Sequence, residues 1–224
     1  MAVLPLATAS LPDVYYYNSL TLCVLDSVFS IGVRYEGTEA VVKRYCAAFG
    51  LNRIRASRPA WPPPAAQEPL SALVERVEAV GSIAFATTIL RNRQRTSSKN
   101  GILKAEAAAE FARVLHGFGI KYFQDLPTFH DDGQVQAALR RVRGQRSGIS
   151  VSYFWMLAGS EDLIKPDRMI LGFLRETLGQ AVSMEQATVL LRRATTILQR
   201  EIPHLTPRLL DHEVWRFQRA RRAL

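Results

Sequence analysis

Apolar residues gather in blocks of helical length along this chain. From about Tyr17 to Phe29 the positions Leu20, Leu22, Val24, Leu25, Val28 and Phe29 are too continuously apolar for a surface helix, which predicts a core element. A second helix is predicted from Gly37 to Phe49, before Gly50, and a third from Leu70 to Leu90 with a break at Gly81. Lys104-Ala105 opens a strongly helical run to Leu115, and Gln134 to Arg143 reads as a short basic helix. The aromatic run Ile149 to Leu157 is long enough for a buried helix and is stopped by Gly159. Proline at 166 and aspartate at 167 announce a helix through Leu174, and another is predicted from Ser183 to Arg200. Asp211, His212 and Glu213 read as acids at the start of a last helix docked by Trp215. Residues 1–16 form a turn-rich apolar segment, and 120–133 a loop with Pro127. The expected fold is all-α, with two helical lobes flanking a cleft.

Arg55 to Pro69 holds five of the eleven prolines and reads as a linker, with Trp61 packing it onto the body. The lobes are then expected at about 70–165, and at 1–54 together with 166–224. A chain of 224 residues can bury a full core, and 48% apolar with 22% charged residues are globular values. Charge adds a partner: 29 Lys and Arg against 20 Asp and Glu give +9, pointing to a polyanion, and arginine suits phosphate forks. Cys23 and Cys46 read as buried free thiols, too few for a zinc or iron–sulfur site. The N-terminus lacks a basic region followed by an apolar core, and no apolar run approaches spanning length, so a cytoplasmic protein with no membrane partner is expected.

Three stretches carry candidate chemistry. Between Gly144 and Gly148 a glycine turn, Gly144-Gln145-Arg146-Ser147-Gly148, precedes a helix start; its backbone N–H groups can hold a phosphate, reinforced by Arg146. With Arg140, Arg141 and Arg143 it forms a basic cluster where a nucleic-acid backbone can pass. The second stretch, Arg91 to Gly101, holds four cations and six hydroxyl or amide residues, the makeup of a phosphate or polar-ligand contact. The third is Asp167, which the helix dipole should keep as an anion able to stabilise an oxocarbenium-like sugar as its glycosidic bond breaks. His130 beside Asp131 and Asp132 makes a weaker metal candidate without distant partners.

Hairpin, apolar helix and helix-opening aspartate together resemble the helix-hairpin-helix DNA glycosylases, the superfamily of endonuclease III and the alkyladenine glycosylases. Ile149-Ser150-Val151-Ser152-Tyr153-Phe154 matches the helix after the hairpin, and Asp167-Arg168-Met169-Ile170 the segment with the catalytic aspartate. Ile149 stands where strand-cutting members carry a Schiff-base lysine, and isoleucine cannot form an imine. The resemblance therefore implies a monofunctional glycosylase that flips out a damaged or modified base and hydrolyses its N-glycosidic bond with water, leaving an abasic site. Asp167 is the implied catalytic residue. Gly144, Arg146, Ser147, Gly148, Ser150, Arg140, Arg143 and Lys165 are the implied DNA contacts. Base-pocket or wedge roles fall to Arg34 or Tyr35 after the first core helix, where Gly32 takes the place of the usual amide residue, and to Asn92, Arg93 or Arg95. Here the two hairpin glycines are four residues apart, whereas the family spaces them two apart. A monomer acting on double-stranded DNA is implied, with no iron–sulfur cluster or other cofactor, though such hairpins can hold a monovalent cation. Repair and anti-phage defence both suit that activity. The alternatives are a non-catalytic, structure-specific DNA binder and a helical protein–protein adaptor.

Overall fold

The computed structural model describes residues 4–33, 35–58, 60–129 and 132–222, with residue 222 described by its backbone alone. Every element of regular structure among them is helical, apart from two isolated antiparallel bridges, Tyr17 with Ile54 and Arg95 with Leu103. The longer helices are α1 (Leu20–Phe29), α2 (Tyr35–Phe49), α3 (Leu70–Val80), α5 (Lys104–Gly117), α6 (Gly133–Arg141), α7 (Ile149–Ala158), α8 (Arg168–Leu178), α9 (Met184–Leu198) and α10 (Pro207–Arg222). A short α4 (Ser82–Ala84) runs into a π-helical turn, Phe85–Ile89. Contacts divide the chain into two compact units, one of Asp13–Ala158 and one of Met1–Pro12 with Gly159–Leu224.

In the larger unit α1 is the hub, because all ten of its residues are buried and it packs on α2, α3, α5 and α7. Its C-terminal carbonyls would be orphaned inside the protein. Buried Lys104 answers the last of them, donating from Nζ to Phe29 O (3.0 Å), and also donates to Ile31 O (2.7 Å) just beyond the helix. The break foreseen at Gly81 is real: its φ of 79° ends α3 and lets α4 start afresh. The loop expected over 120–133 contains a 3-10 helix, Phe123–Thr128, and its His130 and Asp131 lie outside the described residues.

The proline-rich segment is strapped to this unit and does not separate two lobes. Trp61 stacks on Phe123 with centroids 5.9 Å apart, and its Nε1 donates to Ala158 O at 3.3 Å. Gln67 donates to Pro62 O and to Gln124 Oε1, at 2.6 and 2.8 Å. Next to it, buried Glu68 accepts from Tyr45 Oη at 2.9 Å and is paired with Arg76, whose guanidinium lies 3.7 Å from the Phe49 ring centroid. Strap and α1 thus hold 13–54 and 55–69 in the hairpin-bearing unit, where the sequence pattern had placed 1–54 with the C-terminal helices.

The smaller unit gathers α8, α9 and α10. Local signals set its helix ends: Asp167 caps α8, Gly179 closes it at φ 71°, and Ser183 with Gln186 forms a capping box on α9. α10 begins at Pro207, with Thr206 Oγ1 accepting from Leu209 N at 3.1 Å. Asp211 therefore lies in the second turn, and the reading of it as a helix-start acid is corrected. Phe173 meets Phe217 edge to face at 6.0 Å, and Gln218 Nε2 donates to Glu176 Oε1 at 2.8 Å, tying α8 to α10. No helix among the described residues is long and apolar enough to cross a membrane.

Candidate nucleic-acid interface

Residues 142–148 connect α6 to α7 in two tight turns, closed by Gln145 N to Val142 O and Gly148 N to Gln145 O, both 2.9 Å. Gly144 and Gly148 have φ of 91° and 76°, a region that side chains strain to enter. Gly144 is needed for a second reason. A Cβ there would stand 2.7 Å from Thr96 Cγ2, and nearer still to its Cβ. The hairpin and the polar 91–101 loop, which the sequence offered as separate candidates, are therefore one surface. Gly148 is buried, and a Cβ on it would meet the Arg140 guanidinium at 3.0–3.1 Å.

The loop has its own bracing. It follows the π-helical turn, and Arg91 turns the chain at φ 47°. Asn92 is half-buried, and its Oδ1 accepts from Gln94 N at 2.9 Å, so that carbonyl shapes the loop. Arg95 donates from Nη1 to Gly101 O, while its residue remains exposed. Arg93 is exposed with no such tie among the described residues.

Hairpin and loop concentrate positive charge in two short segments. Arg91, Arg93, Arg95, Lys99, Arg140, Arg141, Arg143 and Arg146 are all exposed, and none forms an ion pair among the described residues. Some arginines elsewhere are paired, Arg113 with Glu78 and Arg208 with Glu161 (each 2.8 Å), Arg216 with Glu213 (2.6 Å) and Arg221 with Glu176 (3.0 Å), whereas Arg168, Arg175, Arg192, Arg193 and Arg200 of the smaller unit are exposed and likewise form no ion pair among the described residues.

Three expected contacts change role. Ser150 is buried and donates to Gln145 Oε1, bracing the hairpin from beneath, so it offers no hydroxyl to DNA. Ser147 is exposed, and its Oγ accepts from Ile149 N at 3.4 Å, at the start of α7. Tyr35 is no loop-tip wedge: it opens α2, its hydroxyl is buried, and its ring lies 6.1 Å from that of Tyr15. Arg34 lies outside the described residues.

In the smaller unit, Asp167 is half-buried at the head of α8. Its Oδ1 accepts from Met169 N (2.7 Å) and Ile170 N (3.3 Å), and its own N–H donates to Lys165 O (2.7 Å). Oδ2 makes no hydrogen bond among the described residues. One carboxylate oxygen is thus fixed by the helix and the other remains available. Lys165 is half-exposed on the approach to this cap.

A family model described as a domain of unknown function, DUF8548, matches residues 2–219. The chain belongs to this family. Comparison with curated proteins and with solved structures returns no match. The DUF8548 match takes in hairpin, basic loop and Asp167 alike, so all three lie within the family's domain.

The part that two buried acids play was missed by the sequence reading. Asp26, inside the apolar α1, is wholly buried and accepts from Tyr17 Oη at 2.9 Å and Tyr153 Oη at 3.4 Å. Burial first, then the Asp26 charge, pushes both phenols well above their usual range, so they stay protonated and donate. A lone acid within an apolar run was the available signal. The other is Asp211, 6% exposed, whose Oδ1 accepts the Lys165 amide at 2.9 Å. Its neighbour His212 is also buried, and burial pushes its imidazole down to about 4, leaving it neutral at physiological pH. In the larger unit, Cys46 and Cys23 are buried thiols outside any disulfide, the former pushed up to about 11 by burial.

Proposed function

We propose that this protein is a monofunctional DNA glycosylase acting on a damaged or modified base in duplex DNA. The observation that carries the reading is the Asp167 cap: a carboxylate with one oxygen anchored by two helix amides and the other uncommitted. Such an anion is pre-oriented and needs little reorganisation as positive charge develops on a sugar. The unpaired arginines of the hairpin and the 91–101 loop support a nucleic-acid partner, because exposed cations without acidic neighbours are free to replace the counterions of phosphates.

In this reading the helix–hairpin–helix of α6 and α7 grips the DNA backbone, the altered nucleotide leaves the stack, and Asp167 stabilises the sugar cation while water attacks. Extrusion costs a few kcal/mol, least where the base is already weakly paired, which supplies part of the selectivity. Ile149, at the start of α7, offers no amine for an imine, so strand cleavage is not part of the reaction.

The test is a panel of modified-base duplexes incubated with wild type and Asp167→Asn, followed by alkali to reveal abasic sites. The variant should bind with unchanged affinity and release base more slowly by roughly 10²–10³-fold, the usual loss for a removed transition-state charge partner. Equal release by both proteins would remove Asp167 from the chemistry. Tight binding with no release by wild type, on any duplex, would leave a non-catalytic DNA binder.

A further inference from the structure

Asp167 does not stand alone on the approach to α8. The turn that carries it, Lys165-Pro166-Asp167, is closed by its own 2.7 Å bond from Asp167 N to Lys165 O, and proline fixes its middle residue. At its open end the Lys165 amide is the donor to be satisfied, and the partner is Asp211 Oδ1 at 2.9 Å, reaching from the second turn of α10. Asp211 is itself anchored, since α10 is fastened through Arg208, whose Nη1 donates to Glu161 Oε1 at 2.8 Å and whose backbone N–H donates to Glu161 O at 3.0 Å. The chain of contacts runs from Glu161 through α10 to the turn and so to the cap of α8.

We propose that Asp211 is a positioning residue for Asp167, holding the 165–167 turn through the Lys165 amide so that the free carboxylate oxygen of Asp167 keeps its aim. This rests on the glycosylase reading of Asp167. The charged groups that act on Asp211 are Asp167 and Lys165 on the approach to α8, and Arg208 on its own helix; no side chain of α9 bonds to it among the described residues. Burial first, and the Asp167 charge second, push the Asp211 carboxyl up to about 8, against the opposing pull of the Lys165 amide and of the Lys165 and Arg208 charges. At neutral pH Asp211 therefore holds the turn as a protonated acid. Burial thus keeps the Asp211 carboxyl in its acid form beside Asp167. Above about 8 Asp211 ionises as well, and a second buried anion beside Asp167 is relieved by parting the two, which moves the turn.

Asp211→Asn and Asp211→Leu separate the two duties. The amide oxygen of asparagine can still accept the Lys165 N–H and does not titrate, whereas leucine can do neither. Single-turnover base release by wild type should fall about tenfold between pH 7 and pH 9, as a group with its midpoint near 8 loses its proton. Asp211→Asn should match wild type at pH 7 and lack that fall. Asp211→Leu should release base about 100-fold more slowly, the cost of about 1 Å of misplacement, with DNA affinity unchanged. A merely structural role would lower amplitudes and leave the pH profile of Asp211→Asn in place. That outcome, or full-rate release by Asp211→Leu, overturns the proposal. The Asp167 carboxyl carbon resonance in the DNA-free protein gives a readout independent of activity. It should shift across pH 7–9 in wild type and stay flat in Asp211→Asn; a flat wild-type titration overturns the coupling. Failure of wild type to release any base, with that titration intact, sinks the glycosylase reading and leaves the carboxyl pair standing.

Discussion

Removing three cations, Arg93, Arg143 and Arg146, is the sharpest test of the interface. All three are exposed, none forms an ion pair among the described residues, and none braces the fold as Arg95 does at Gly101 or Arg140 does against Gly148. Each phosphate neutralised contributes about 0.9 to the slope of log affinity against log salt. Raising salt from about 50 to about 200 mM thus weakens binding about 3.5-fold per contact, or about 40-fold for three. Fluorescence anisotropy with a duplex of about 20 base pairs, titrated across that range, reads the slope directly. Substituting all three with glutamine should lower it by about 2.7 and flatten the salt dependence accordingly. Arg113→Gln is the control, because that arginine is half-exposed in the same unit but already paired with Glu78 at 2.8 Å. Equal slopes for wild type and the triple variant would refute the assignment of this surface to DNA. A wild type with no salt dependence would favour a protein–protein adaptor.

Two further outcomes follow from packing. Gly144→Ala should destabilise the protein by about 1–2 kcal/mol from the left-handed backbone alone, with a further loss from the clash with Thr96; adding Thr96→Gly should recover the second part and not the first in urea melts, and strict additivity of the two substitutions would show that loop and hairpin do not touch. Lys104, pushed down to about 8 by burial, binds its proton more weakly folded than unfolded, so its contribution to stability is complete above about 10.5 and is lost as pH falls through about 8. Lys104→Met should abolish that rise in melting temperature between pH 7.5 and 10.5, and an unchanged rise would show that the ammonium is not buried against the α1 carbonyls.

What could be read without coordinates was whatever residues close in sequence decide among themselves. Periodicity placed the helices, Gly81 and Gly159 ended them, and Pro166-Asp167 and Ser183 began them, because caps and amphipathic faces are settled within about four residues. Asp167 was legible for that reason: a first-turn aspartate has its own helix amides as partners. Tertiary structure alone decided what those helices meet. Thr96 against Gly144, Tyr153 on Asp26 and the Lys165 amide on Asp211 join residues 48, 127 and 46 positions apart, and no local preference encodes such pairs. Ser150 shows the limit most simply. Its place in the helix after the hairpin was foreseen, but whether its hydroxyl faces a phosphate or Gln145 depends on which side of α7 the core occupies, and burying apolar area against α1 chose that side.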